Sequence, residues 1–91
     1  MSKTYTVEFS KELVRKMSRI QKKNKQMFDA IVKKIREIKK NPAHYKQLRY
    51  GMKNYRRAHI MKSFVLIFRI DREHNKVIFE DFDHHDKIYK K

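Results

Sequence analysis

The sequence predicts an α+β fold ordered β-α-α-β-β-β, with two N-terminal helices packed on one face of an antiparallel sheet. Three observations carry this reading. Apolar residues alternate at period two in a short opening stretch, recur at helical spacing between residues 13 and 38, and return to strand-like runs from residue 55 onward. The only proline, Pro42, and the only glycine, Gly51, both fall between the helical block and the second strand block. A chain of 91 residues has room for one core, so residues 1–91 read as a single domain.

The elements follow in order. Residues 4–9 (TYTVEF) set Tyr5, Val7 and Phe9 against polar neighbours, the pattern of a half-buried strand. Ser10 then offers an N-cap oxygen to a helix of about three turns carrying Leu13, Val14, Met17 and Ile20. QKKNK breaks that period and reads as a tight helix–helix connection. A longer second helix places Met27, Phe28, Ile31, Val32, Ile35 and Ile38 on one stripe, with mostly Lys and Arg opposite. Asn41-Pro42 ends it, because a residue before proline is pushed out of the helical region. Residues 43–54 keep no period and read as a loop. YRRAHIM then alternates Tyr55, Arg57, His59 and Met61 with Arg56, Ala58 and Ile60. After a turn at Lys62-Ser63, FVLIFRI (64–70) is apolar on both faces, as a central strand is. DREHNK turns the chain again and KVIFEDF (76–82) completes an antiparallel meander. The helices cover one face of this sheet, and the other face is left for a ligand. No internal repeat, low-complexity segment or linker interrupts the chain.

The charge balance narrows the partners. The 25 Lys and Arg against 10 Asp and Glu leave +15 on a chain that is 40% hydrophobic, so the compact state repels itself unless an anion relieves it. Phosphate-rich nucleic acid is the first such partner, since each neutralised phosphate releases counterions; an acidic protein is the second and an anionic membrane surface the third. There is no cysteine, which excludes disulfides and thiolate metal sites. The opening MSKTYTVEFS has no apolar signal region and no run approaches ~20 apolar residues, so the expected location is cytoplasmic, without membrane contact.

Two groups of residues carry candidate chemistry. Lys46, Arg49, Lys53, Arg56 and Arg57 are interleaved with Tyr45, Tyr50 and Tyr55, and cations with flat rings are what single-stranded RNA requires. The helix lysines at 33, 34, 39 and 40 read as a solvated face. Among the five histidines, His44 and His74 fall in loop or turn positions and read as surface residues. His59 shares the outward face with Arg57. His84 and His85 leave the third meander strand, so convergence with His59 across the central strand requires a twist or long side chains. A histidine pair at neutral pH can take a proton from a 2′-hydroxyl and give one to a leaving 5′-oxygen, and nearby cations stabilise the phosphate charge that develops. Asp81, Asp83, His84, His85 and Asp86 are chemically adequate metal ligands, but adjacent residues on a strand diverge and no helical histidine pair exists. No metal and no cofactor is therefore expected. Tyr89 either packs on the sheet or stacks on a base.

The order strand, two helices, then YRRAHI, FVLIFRID and KVIFEDFDHHDKIYKK resembles the RelE/ParE toxin superfamily, in particular its archaeal and histidine-bearing RelE-like branches. The resemblance runs along nearly the whole chain, and its most specific parts are Leu48 through Gly51, the Tyr55-to-Ile70 hairpin and HHDKIY. It implies a microbial-ribonuclease-like sheet and a toxin of a type II toxin–antitoxin pair. Such a toxin enters the ribosomal A site and cuts mRNA without a metal, leaving a 2′,3′-cyclic phosphate. Its partners would be mRNA, ribosomal RNA and an acidic RelB-like antitoxin. By this resemblance His59 and His85 share the acid and base roles, Arg56, Arg57 and Lys53 hold the scissile phosphate, and Tyr89 orients the base or the 2′-hydroxyl. Lys46, Arg49, Tyr55 and His84 would contact RNA. One departure stands out: Val65 follows Phe64 where many relatives carry arginine, so either Arg56, Arg57 or Arg69 supplies that charge or activity is weaker. The alternative implied is a ParE-like inhibitor of DNA gyrase, or a non-catalytic RNA-binding or inactivated homologue.

Overall fold

A β-strand, two helices and a three-stranded meander appear in the expected order. The computed structural model describes residues 5–47 and 55–89, Tyr89 by its backbone alone. Strand β1 is Thr6–Phe9, helix α1 Lys11–Lys23, helix α2 Lys25–Lys40, strand β2 Tyr55–Ile60, strand β3 Phe64–Asp71, strand β4 Lys76–His84 and helix α3 His85–Tyr89. The sheet order is β1-β4-β3-β2. The meander β2-β3-β4 is antiparallel as expected, whereas β1 pairs parallel with β4, so the sheet as a whole is mixed. The reason is topological: two helices of nearly equal length return the chain beside the last strand, pointing the same way.

The helix junctions use single residues twice. Ser10 caps α1 by accepting from the Leu13 N–H at 3.0 Å, and its hydroxyl also donates to the Glu80 carbonyl at 2.6 Å. Asn24 closes α1 through its N–H to Ile20 O and opens α2 by accepting from the Met27 N–H. The QKKNK connection thus shrinks to one residue, with no glycine required. Pro42 ends α2 as expected, but it starts a 3-10 turn, Pro42–His44, and Gln47 then bridges Arg56 beside β2, so the expected loop begins with ordered structure.

The core lies between the helices and one sheet face. Leu13, Ile31 and Ile38 bury fully against Leu66, Phe68, Val77 and Phe79. Val65 and Ile67 of the central strand are also buried, on the opposite face, under Tyr55 and the α3 residue Ile88. The face expected to stand open is therefore partly roofed by α3, a helix that the sequence reading did not place. The β2–β3 turn runs Met61–Ser63 with Met61 and Lys62 both left-handed (φ 52° and 69°), and its Ser63 carbonyl accepts the His85 N–H at 2.7 Å. That bond fixes the start of α3 against the turn.

One irregularity shapes the outward face. Ile67 pairs with Asp81 but Phe68 pairs with Phe79, which leaves Glu80 as an extra residue, a β-bulge. The apolar phase of β4 shifts with it, from Val77 and Phe79 to Phe82. Beyond the end of β1, α1 takes over the edge of β4: Ser10 N–H and Oγ serve the Phe79 and Glu80 carbonyls, and Lys16 Nζ serves Phe82 O at 3.1 Å.

Candidate active site on the outward sheet face

On β2 the alternation sends Tyr55, Arg57 and His59 to the face away from α1 and α2. Their cross-strand neighbours on β3 are Arg69, Ile67 and Val65, and β4 adds Asp81 and Asp83. The right-handed twist and the start of α3 carry His85 back over this face. The His59 and His85 rings stack with centroids 6.2 Å apart and planes within 24°. These two histidines, separated in sequence, are thus brought together. His85 Nδ1 also lies 3.6 Å from Asp86 Oδ1.

Other expected residues are placed elsewhere. Arg56 alternates to the opposite face from Arg57, half-buried, and its Nη1 donates to the Tyr45 carbonyl at 2.6 Å. It does not join Arg57 beside His59, because adjacent strand residues diverge. His84 separates from His85 for the same reason: its ring meets the edge of Phe64, and its Nδ1 accepts the Asp86 N–H at 3.2 Å. Lys46 lies along the edge of β2, where its carbonyl accepts the Arg57 N–H. Arg49, Tyr50 and Lys53, with the Leu48-to-Gly51 stretch, lie outside the described residues, as does the Tyr89 side chain. The charge invoked to replace an arginine after Phe64 has one further source, Arg69, whose Nε donates to Glu80 Oε2 at 2.8 Å. This bond, ahead of an opposing burial effect, holds the Arg69 guanidinium above its ordinary pKa.

The acids on β4 neutralise a lysine, Lys16, that the sequence reading did not single out. Lys16 donates to Asp81 Oδ1 at 2.7 Å and to Asp83 Oδ2 at 3.0 Å, while Asp83 Oδ1 also accepts the His84 N–H. Burial alone would raise the Asp83 pKa, but the Lys16 bond, the His84 N–H and the charges of Lys16 and Lys87 hold it below the ordinary 3.8. Burial would likewise lower Lys16, and its bonds to Asp81 and Asp83 lift it above 10.5. The signal was available: Lys16 interrupts the apolar stripe between Leu13 and Met17, so it points toward the sheet. The bulge was signalled too, by the three-residue step from Phe79 to Phe82 in a strand of period two.

A different acid cluster sits in the β3–β4 turn, where Asp71, Glu73 and His74 bring one ligand atom each within 4.8 Å. Asp71 is already engaged by the His74 ring at 2.9 Å and by its N–H at 3.2 Å, and these bonds hold its carboxyl below the usual range. Among the described residues, no helix is long and apolar enough to cross a membrane.

A bulged, mixed four-stranded sheet backed by two helices, with a histidine pair on its outer face, defines a small toxin fold. The chain matches the family described as the ParE toxin of type II toxin–antitoxin system, parDE, over residues 5–89, and it belongs to that family, within the RelE/ParE toxin superfamily. It is a type II toxin. It is 47% identical over 87 residues to a protein of Methanocaldococcus jannaschii provisionally named toxin RelE4, covering 96% of this chain and 93% of that one. Among solved structures it is similar to the toxin in the RelBE2 toxin–antitoxin complex of Mycobacterium tuberculosis, at 26% identity and a TM-score of 0.75, covering 93% and 98% of the two chains. The fold also matches the YoeB–YefM complex of Staphylococcus aureus, at 19% identity, a TM-score of 0.76 and coverage of 91% and 99%.

Proposed function

We propose that this toxin is a ribosome-dependent mRNA endoribonuclease that cleaves by histidine acid/base chemistry. The observation that carries the proposal is the stacked His59–His85 pair on the outward side of the sheet. One ring removes the proton of a 2′-hydroxyl, the 2′-oxygen attacks phosphorus, the bond from phosphorus to the 5′-oxygen breaks, and the other ring protonates that oxygen. The product ends are a 2′,3′-cyclic phosphate and a 5′-hydroxyl. Arg57, beside His59 on the same face, is the residue suited to the charge that builds on the phosphate. Lys46 and Tyr55 extend the RNA contact along β2, and Arg49, Lys53 and Tyr89 are assigned to RNA by the family resemblance alone. Arg56, turned to Tyr45, is given a supporting place under β2, and His84 one beside Phe64.

The test is cleavage of mRNA on programmed ribosomes, read by mapping the cut and identifying the cyclic phosphate end. A chelator should leave the rate unchanged once ribosome integrity is controlled. Binding should be dominated by phosphate neutralisation, with log K against log salt falling with a slope of several units. A salt-independent association, or intact mRNA beside inhibited translation, contradicts the proposal. The family description favours one second reading, a ParE-like action on gyrase, which a supercoiling assay separates from cleavage.

The partner that restrains the toxin is an acidic RelB-like antitoxin, supported by the +15 charge and by the antitoxin complexes of the two similar structures. Co-expression with an acidic neighbouring gene product should relieve growth inhibition, and its failure to do so for any neighbour removes this partner from the proposal.

A further inference from the structure

We propose that the concavity beside the histidine pair is a base-reading pocket that accepts a nucleobase rich in hydrogen-bond donors, guanine foremost, and rejects uracil. This rests on the RNA-cleavage reading above and names the specificity element of that site. The concavity measures about 210 Å³ and lies between β2, β4 and α3. Ile67 and Ile88 line it together with the Tyr55 ring, which gives the apolar surface and the aromatic wall that a base stacks on.

Its polar lining is unusual for this chain. Only 10 of the 91 residues are acidic, yet Glu80, Asp81 and Asp83 all border this one hollow, with Lys87 as the cation beside them. Lys16 and Arg69 already neutralise these acids, so what the hollow still offers a ligand is carboxylate oxygens as acceptors beside an apolar wall, which suits a base. Asp83 is occupied at both oxygens, by Lys16 and by the His84 N–H. Glu80 accepts from Arg69 through Oε2, and Asp81 accepts from Lys16 and the Phe82 N–H through Oδ1. Glu80 Oε1 and Asp81 Oδ2 take no part in these bonds. The bulge sets these two consecutive acids together at the hollow, where a regular strand would have sent them to opposite faces.

An ionised carboxylate only accepts hydrogen bonds. Guanine offers an adjacent ring N–H and amino group to it, whereas uracil presents a single N–H flanked by two carbonyl oxygens that the acids repel. The location agrees with the chemistry. Ile67 is two residues along β3 from Val65, the partner of His59, a step of about 7 Å. A nucleotide with its sugar and phosphate at the histidines has its base within reach of the hollow.

The experiment needs neither ribosome nor cleavage. Guanosine, adenosine, cytidine and uridine 5′-monophosphates are titrated into the full chain, following the Ile67 and Ile88 methyl signals by NMR. All four carry the same phosphate, so general attraction to a basic protein cancels. Guanosine monophosphate should bind roughly tenfold or more tighter than uridine monophosphate, as expected for hydrogen bonds to a charged acceptor. Glu80→Gln should erase that preference, and Tyr55→Leu should weaken every nucleotide alike. Equal binding of guanosine and uridine nucleotides, shifts confined to other residues, or an unchanged preference in Glu80→Gln overturns the pocket. If the preference holds while programmed ribosomes show no cleavage, the pocket stands and the ribonuclease reading falls.

Discussion

Replacing His85 by alanine should slow mRNA cleavage on programmed ribosomes by about 10²–10⁴-fold, the usual range for a lost general acid or base. The fold should survive, because His85 anchors α3 through its backbone N–H to Ser63 O, which alanine retains. His59→Ala should lose a similar factor, and the double variant should be little worse than either, since residues that act as one unit are not additive. Ribosome binding, set by lysines and arginines, should change little in either variant. His84→Ala should cleave at close to the parental rate, because its ring packs at the edge of Phe64 rather than on His59. Single-turnover rates at saturating toxin separate these cases. Full activity in both His59→Ala and His85→Ala would refute the acid/base assignment. Loss of activity in His84→Ala alone would move the chemistry to that ring.

Lys16→Met should destabilise the fold by about 2 kcal/mol, because it removes the cation that two carboxylates and the Phe82 carbonyl share while keeping the apolar stem. For a domain of this size that corresponds to a fall of roughly 10 °C in the unfolding midpoint. The side chains of Lys16 and Asp83 are only 22% and 27% exposed, which separates this contact from an ordinary surface pair. The pH dependence has a defined sign. Asp83 has a depressed folded pKa, so its contribution is present above the ordinary carboxylate value of 3.8 and is lost as pH falls through the lower, folded value. Lys16 has a raised folded pKa, so its contribution is complete below 10.5 and is lost as pH rises beyond it. The stability gap between parent and variant should therefore be flat across neutral pH and close in strong acid and strong base. A midpoint change below about 2 °C at neutral pH would place the contact with exposed pairs that contribute little.

The types and order of the four strands and the two long helices were legible from periodicity alone. Ser10, Asn24 and Pro42 mark their boundaries by local hydrogen bonding and sterics, which act over a few residues and need no tertiary context. The two-faced apolar run of Phe64 to Ile70 placed β3 at the centre of the meander for an equally local reason. The face carrying Arg57 and His59 followed from alternation. The same alternation had already set Arg56 on the other face and parted His84 from His85; only the resemblance grouped Arg56 with Arg57 at one phosphate.

Tertiary structure decided what periodicity does not encode. The parallel pairing of β1 with β4 depends on where two helices return the chain, and the Lys16 clamp depends on α1 passing the edge that β1 leaves uncovered. The approach of His85 to His59 depends on sheet twist and on one long-range bond, His85 N–H to Ser63 O. Residues 59 and 85 are joined by no local rule, since side chains on strands two apart meet only when the sheet between them twists and a helix turns back over it. Local order was written in the spacing of apolar residues; the candidate site came into being only when the strands closed.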